Sequence, residues 1–249
     1  KILSDFAPDW IVEISKKREV QLCAVGPFSN VAAAVILDPT LPKRLPKLAV
    51  MGGMVFPEHY EPQWQDFFKS TGLPPNHLDH NSNSDVHAAY IMANAGFDMT
   101  WVTAELTFCT TMNCDTMERF RSTNTLLGDR LARMLAIWAA DYFHRIPKFQ
   151  TKAKPFPEDA VAALHDPLAI VSQFGGEGLT LEPISLEFAE AGERFETKLV
   201  NSPGALSEHQ AGDATHLVSV AVNHKAFASF FEERVMDFLS GLKKTRFNN

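Results

Sequence analysis

The sequence predicts an α/β fold, a mostly parallel, Rossmann-like sheet flanked by helices. Two observations carry this. Short apolar runs alternate with helical stretches along the chain. Each early run also ends in a glycine turn: Val20–Val25 stops at Gly26-Pro27, and Leu48–Met51 stops at Gly52-Gly53. Strand, glycine turn, helix and strand in that order is the pattern of βαβ units.

Residues 4–18 read as a helix, with Trp10, Ile11 and Ile14 at helical spacing and a basic end that suits the macrodipole. Residues 20–25 are the first strand. Asn30–Leu37 is a compact Ala/Val helix stopped at Asp38-Pro39, and Leu48–Met51 is the second strand. Residues 54–78 hold four prolines, many aromatics and no clear period, so a long loop with one helical turn is expected there. Asp85–Ala95 reads as a helix closed by Gly96, and Met99–Ala104 as a strand. Residues 113–145 read as helical with a break near 122–124. A basic connector follows at 148–157, and a helix is expected over 158–174 around a His-Asp-Pro step. Residues 179–188, 194–200 and 216–222 are expected strands, and Ala226–Leu242 is a closing amphipathic helix. With no repeat and no linker, residues 1–249 read as one unit.

Composition excludes several classes. Charged residues are 21% and hydrophobic residues 45%, ordinary for a globular chain. The net charge of −7 argues against a nucleic-acid surface. Three cysteines, without CxxC spacing, make neither a disulfide framework nor a zinc site. No apolar run reaches the ~20 residues of a membrane span, so no membrane partner is expected. The chain opens on Lys1 in a helix-like segment without a leader, so a processed product or a fragment of a cytoplasmic protein is expected.

In an open parallel sheet, ligands bind at the carboxyl ends of the strands. Three turns sit there: Gly26-Pro-Phe-Ser-Asn30, Met51-Gly-Gly53 and the segment leading to His165-Asp166. Each has an architectural reading beside a chemical one. Ser29 or Asn30 caps a helix, and the missing Gly-Lys-Ser/Thr ending excludes a P-loop. Asp79-His-Asn-Ser-Asn-Ser-Asp85 is either a polar loop ending in a cap at Ser84 or Asp85, or a binder of a polyhydroxyl ligand. Ser84 and Tyr90 stand where an EF-hand needs Gly and Glu. Asp166, just before Pro167, is either an N-cap or a hard-metal ligand, with His165 an acid near a leaving group. Glu105-Leu-Thr107 reads as a polar strand end. No Gly-x-Ser-x-Gly elbow occurs, which disfavours an α/β-hydrolase.

Taken in order, Val25-Gly-Pro-Phe-Ser-Asn30, Val50-Met-Gly-Gly53, Asp79-His-Asn81 with Asp85, Glu105-Leu-Thr107 and Leu164-His-Asp-Pro-Leu-Ala169 resemble the inosine–uridine-type nucleoside hydrolase family. The resemblance runs from about residue 8 to about residue 240. It implies the nucleoside hydrolase fold and hydrolysis of the N-glycosidic bond of ribonucleosides to free base and ribose, a step of nucleoside catabolism and salvage. It also implies one Ca²⁺ that grips the ribose 2′- and 3′-hydroxyls and an attacking water. By the same resemblance the Val25 carbonyl and the Asp166 carboxylate are calcium ligands, and Asn81 contacts a ribose hydroxyl. Met51 walls the pocket near the sugar, and Asp79 replaces the usual Glu toward the ribose 5′-side. His165 stands beside the base and protonates it as it leaves, which makes His165 and Asp166 the expected catalytic pair. Such a transition state is oxocarbenium-like, and nearby negative charge favours it.

The family's N-terminal Asp-x-Asp-x-x-x-Asp-Asp does not occur, for none of the fourteen Asp residues forms Asp-x-Asp or Asp-Asp. The expectation is therefore the C-terminal portion of a nucleoside-hydrolase-like domain, with N-terminal βα units of at least ~60 residues missing and no activity as an isolated chain. Expected partners are a small-molecule nucleoside and either further copies in a homo-oligomer or a companion chain carrying the N-terminal portion. The alternative is a non-catalytic relative that binds a ribosyl ligand or serves in an assembly.

Overall fold

The structure, a computed structural model, describes residues 6–143, 154–199 and 215–245. It opens with α1 (Ala7–Lys17), whose Pro8, Ile11 and Val12 are buried. Then follow β1 (Leu22–Ala24), α2 (Ser29–Leu37), the single turn α3 (Leu41–Arg44) and β2 (Lys47–Met51). Neither Ser29 nor Asn30 caps α2; the N-cap is Phe28, and the Ser29 hydroxyl donates to Asp85 at 2.6 Å instead.

The expected long loop at 54–78 holds a ten-residue helix, α4 (Pro62–Thr71), between two short 3₁₀ turns. Pro62 sits at the helix start, where it has no hydrogen bond to break, and Gly72 ends the helix in the left-handed region at φ 69°. Trp64, Phe67 and Phe68 are its buried face, at i, i+3 and i+4.

The Asp79–Asp85 stretch is not a loop either. It forms α5 (His80–Ser84), capped by Asp79, and leads into α6 (Val86–Ala93), capped by Asp85. Next come β3 (Asp98–Val102) and α7 (Ala104–Thr107), so Glu105-Leu-Thr107 is a helical turn rather than a strand end. After β4 (Thr111–Asn113), the break near residue 123 separates α8 (Cys114–Ser122) from α9 (Leu126–Trp138), which Thr125 caps.

The segment expected to be helical from residue 158 begins as β5 (Ala160–Ala163), antiparallel to β4, and only then becomes α10 (His165–Ser172). A run of Ala and Val is neutral enough locally for the distant pairing to decide. The chain closes with β6 (Leu179–Ala191), β7 (Arg194–Leu199), β8 (Thr215–Val222) and α11 (His224–Thr245). The expected helix and strand ends at 4–5, 144–145 and 200, and most of the 148–157 connector, lie outside the described residues.

The main sheet has the order β1-β2-β3-β8-β6-β7. The first four strands are parallel, and β6 and β7 add an antiparallel edge. In β2 and β3 every residue after the first is buried, as parallel strands covered on both faces require. Alternation then sorts side chains into two cores. Leu48, Val50, Met99 and Trp101 join Phe28, Leu41 and Met92 in one; Met51 and Val102 join the other. That second core is dense in aromatics: Trp64 packs on Phe108 and Phe156 at ring distances of 5.1 and 4.8 Å. Among the described residues no helix is long and apolar enough to cross a membrane.

Candidate functional site

Parallel strands in register bring the carboxyl ends of β1, β2 and β3 to one edge of the sheet. Beyond the end of β2 lies a cavity of about 690 Å³, a size that suits a small organic ligand. Five of the six expected site residues line it: Met51, Asp79, Asn81, His165 and Asp166. Val25, one residue past β1, is not among the lining residues; its side chain packs against the aromatic core.

The floor is set by the turn after β2. Gly53 has φ 75°, and a Cβ there would meet the Trp101 ring at 3.2 Å. Its N–H donates to Asp79 Oδ2 at 2.8 Å, while Asp79 Oδ1 accepts from the Ser82 N–H at 3.3 Å. The Asp79 carboxylate therefore closes a turn and caps a helix at once. Burial pushes its pKa up, against the pull of those hydrogen bonds. Asp79 also borders a second cavity of about 270 Å³ on the side of Phe195 and Thr197.

Asn81 is the second residue of α5. Its amide donates to the Met51 carbonyl at 3.0 Å, which ties α5 to the end of β2 and leaves Oδ1 without a described protein partner. Across the cavity, α10 begins at His165, with Leu164 rather than Asp166 as its N-cap. Asp166 caps nothing; it is exposed in the first helical turn, where the dipole favours a carboxylate. The surrounding walls still withdraw enough water to raise its pKa.

His165 packs edge-on to Phe108 at a ring distance of 4.6 Å, and its Nδ1 lies 2.7 Å from the Thr107 hydroxyl. Burial lowers its pKa to about 4, so the imidazole is neutral at pH 7. At that pH the protonated imidazole, the form that could give a proton to a leaving base, is little populated.

Residues outside the sequence reading complete the walls. Leu78, Phe108 and Trp138 are apolar, and His77 and His80 add polar edges. Phe108 was signalled only by its place just beyond the Glu105-Leu-Thr107 turn, and Trp138 by nothing local. Behind the site, Glu105 is fully buried; its Oε1 accepts from the Val55 and Phe56 N–H groups at 3.1 and 2.9 Å. Burial raises its pKa to about 7.

Calcium takes six to eight oxygen ligands. Among the described residues no three His, Cys, Asp or Glu side chains are grouped to hold a metal, and Asp166 is the one lining carboxylate not already tied to backbone. The described residues alone do not fit that ion.

Comparison with known proteins places these features. The model of the family described as inosine-uridine preferring nucleoside hydrolase matches residues 2–229. A probable uridine nucleosidase 2 of Arabidopsis thaliana is 25% identical over 176 residues, covering 70% of this chain and 47% of that protein. The chain thus spans about half the length of that curated relative. Among solved structures, a purine-preferring ribonucleoside hydrolase from Gardnerella vaginalis superposes with TM-score 0.73 at 22% identity, over 96% of this chain and 68% of that one. A plant nucleoside hydrolase follows with TM-score 0.69 at 22% identity, over 95% and 68%. At such identities the likeness is one of fold, and the fold is that of the nucleoside hydrolases.

Proposed function

Because the chain belongs to the inosine-uridine preferring nucleoside hydrolase family, we propose that its cavity holds a ribonucleoside and serves hydrolysis of the bond between base and ribose. What carries the reading is the meeting of Met51, Asn81, His165 and Asp166, from three separate parts of the chain, around one hollow. Phe108 and Trp138 offer flat apolar surface to a base, with Leu78 beside them. The free Asn81 oxygen and the Asp166 carboxylate are acceptors for sugar hydroxyls. Asp79, held by Gly53 and Ser82, keeps the floor in place and reaches the 5′-side only through its remaining acceptor capacity.

The lining also speaks to ligand charge. Its described acids are Asp79 and Asp166, it contains no Lys or Arg among the described residues, and His165 is neutral. A phosphate would meet repulsion and no counter-charge, so the reading is a nucleoside and not a nucleotide.

Calcium dependence belongs to this proposal through the family alone. With one free carboxylate in the cavity among the described residues, the 249-residue chain is proposed to bind without turnover, and the further donors to come from other copies or a companion chain. The same shortage of donors favours a second reading, a ribosyl-binding relative without catalysis. A cytoplasmic location accords with three free cysteines, as a reducing compartment keeps them.

Calorimetric titration with inosine, uridine and inosine 5′-monophosphate tests the proposal, with ribose release followed in parallel with calcium present. The expected result is binding of a nucleoside, at least about tenfold weaker binding of the monophosphate, and no ribose. Failure of both nucleosides to bind, or equal binding of the monophosphate, overturns the substrate class. Ribose released by the pure chain overturns the inactivity.

A further inference from the structure

We propose that Thr107 is a positioning residue for His165: its hydroxyl donates to Nδ1 and thereby fixes the neutral imidazole as the tautomer whose proton sits on Nε2, on the ring edge away from Thr107 and available to a ligand in the cavity. The proposal rests on the nucleoside reading of the cavity for its purpose, but not for its geometry.

Thr107 ends α7 and is fully buried. Its one hydroxyl proton has two acceptors in reach, the Ala104 carbonyl at 3.2 Å and His165 Nδ1 at 2.7 Å. The carbonyl already accepts the Phe108 N–H at 3.0 Å, as a helical turn demands, and gains little from a second, longer bond. A separation of 2.7 Å is the usual length for a hydroxyl donor and short for a ring N–H donor. The hydroxyl proton therefore goes to Nδ1. A neutral imidazole carries one proton, so it must then reside on Nε2.

Two further features hold the ring in that pose. Phe108 braces it edge-on at 4.6 Å, and the Leu164 N–H donates to the Thr110 carbonyl at 2.8 Å, which ties the start of α10 to the segment after α7. The consequence for chemistry is definite. His165 offers a nucleoside a single hydrogen-bond donor, suited to a ring nitrogen or carbonyl oxygen of the base, and not an acceptor for its N–H groups.

Nitrogen NMR on the full 249-residue chain, labelled in histidine, reads the tautomer at pH 7. His165 is assigned by the signal lost in His165→Gln. The expected spectrum shows Nδ1 as an unprotonated, pyridine-like nitrogen and Nε2 as a protonated, pyrrole-like one. Thr107→Val, which keeps shape but removes the hydroxyl, is expected to move both signals toward a tautomer average. Thr107→Ser is expected to restore them. A protonated Nδ1 in the unaltered chain, or signals unmoved in a folded Thr107→Val, overturns the proposal. Inosine titration into the same samples separates the two claims. Thr107→Val is expected to weaken inosine several-fold, and Thr107→Ser not. Equal affinity of all three chains overturns the role of the donor in binding. A failure of inosine to bind any of them, with the tautomer as expected, strikes the nucleoside reading instead.

Discussion

Replacing Glu105 with glutamine gives the sharpest test of the physics around the site. Glu105 is fully buried and its carboxyl is raised from 4.5 to about 7 by loss of water, despite amide hydrogen bonds from Phe56 and Val55. Because its folded pKa lies above its unfolded one, the folded state holds the extra proton between those values. Stability is then fully present below pH 4.5, declines as pH rises through about 7, and stays lower above it. The loss amounts to about 3 kcal/mol at most. Glu105→Gln keeps an oxygen for the two N–H groups and removes the charge. Urea unfolding of both chains from pH 4 to pH 9 reads the difference. The curves are expected to converge near pH 4, and the variant to be the more stable by up to about 3 kcal/mol at pH 9. For a chain of this size that is about 6–12 °C in Tm. Because all other titrating groups are common to both chains, parallel curves across the range would falsify the account of the buried carboxyl.

Other substitutions probe neighbouring claims. His165, lowered from 6.5 to about 4, contributes stability that is whole above pH 6.5 and lost as pH falls toward 4. His165→Gln should abolish up to about 3 kcal/mol of that acid-side dependence, as read by the same unfolding series. Asp79→Ala removes the acceptor of the Ser82 N–H and the nearer of two acceptors of the Gly53 N–H, the other being the Ser82 hydroxyl at 3.1 Å, and should cost about 2–4 kcal/mol by thermal melting; a change below about 1 kcal/mol counts against the double cap. Trp64→Ala opens the aromatic core beside Phe108 and Phe156 and should cost about 3–5 kcal/mol. Asp166→Asn, at a side chain with no hydrogen bond or ion pair among the described residues, should leave Tm within about 2 °C and weaken inosine about tenfold or more; unchanged affinity removes Asp166 from the ligand.

The parallel half of the sheet was legible because local signals and the fold agree. Apolar runs at 20–25 and 48–51 end in glycines that the turns need, and Asp85 announces α6 as its cap. The misreadings arise where distant partners decide. Prolines flank α4 rather than interrupt it, and the period of Trp64, Phe67 and Phe68 lay hidden in an aromatic-rich stretch. Ala160–Ala163 becomes a strand only because Thr111–Asn113 lies alongside. At the site, motif order located five lining residues, but nothing in their spacing told that Asp79 spends its carboxylate on backbone or that His165 leans on Thr107 and Phe108. Those are facts of packing.

The Gly53 step has a consequence for how such a chain can change over generations. The Trp101 ring fills the space where even a methyl would stand, and the backbone there is twisted the way only glycine adopts at ease. Mutational drift is barred at that point of the frame. The end of β2 therefore keeps its form through sequence change, while His77 and His80, at the edge of the same cavity, sit where no ring closes the space in this way.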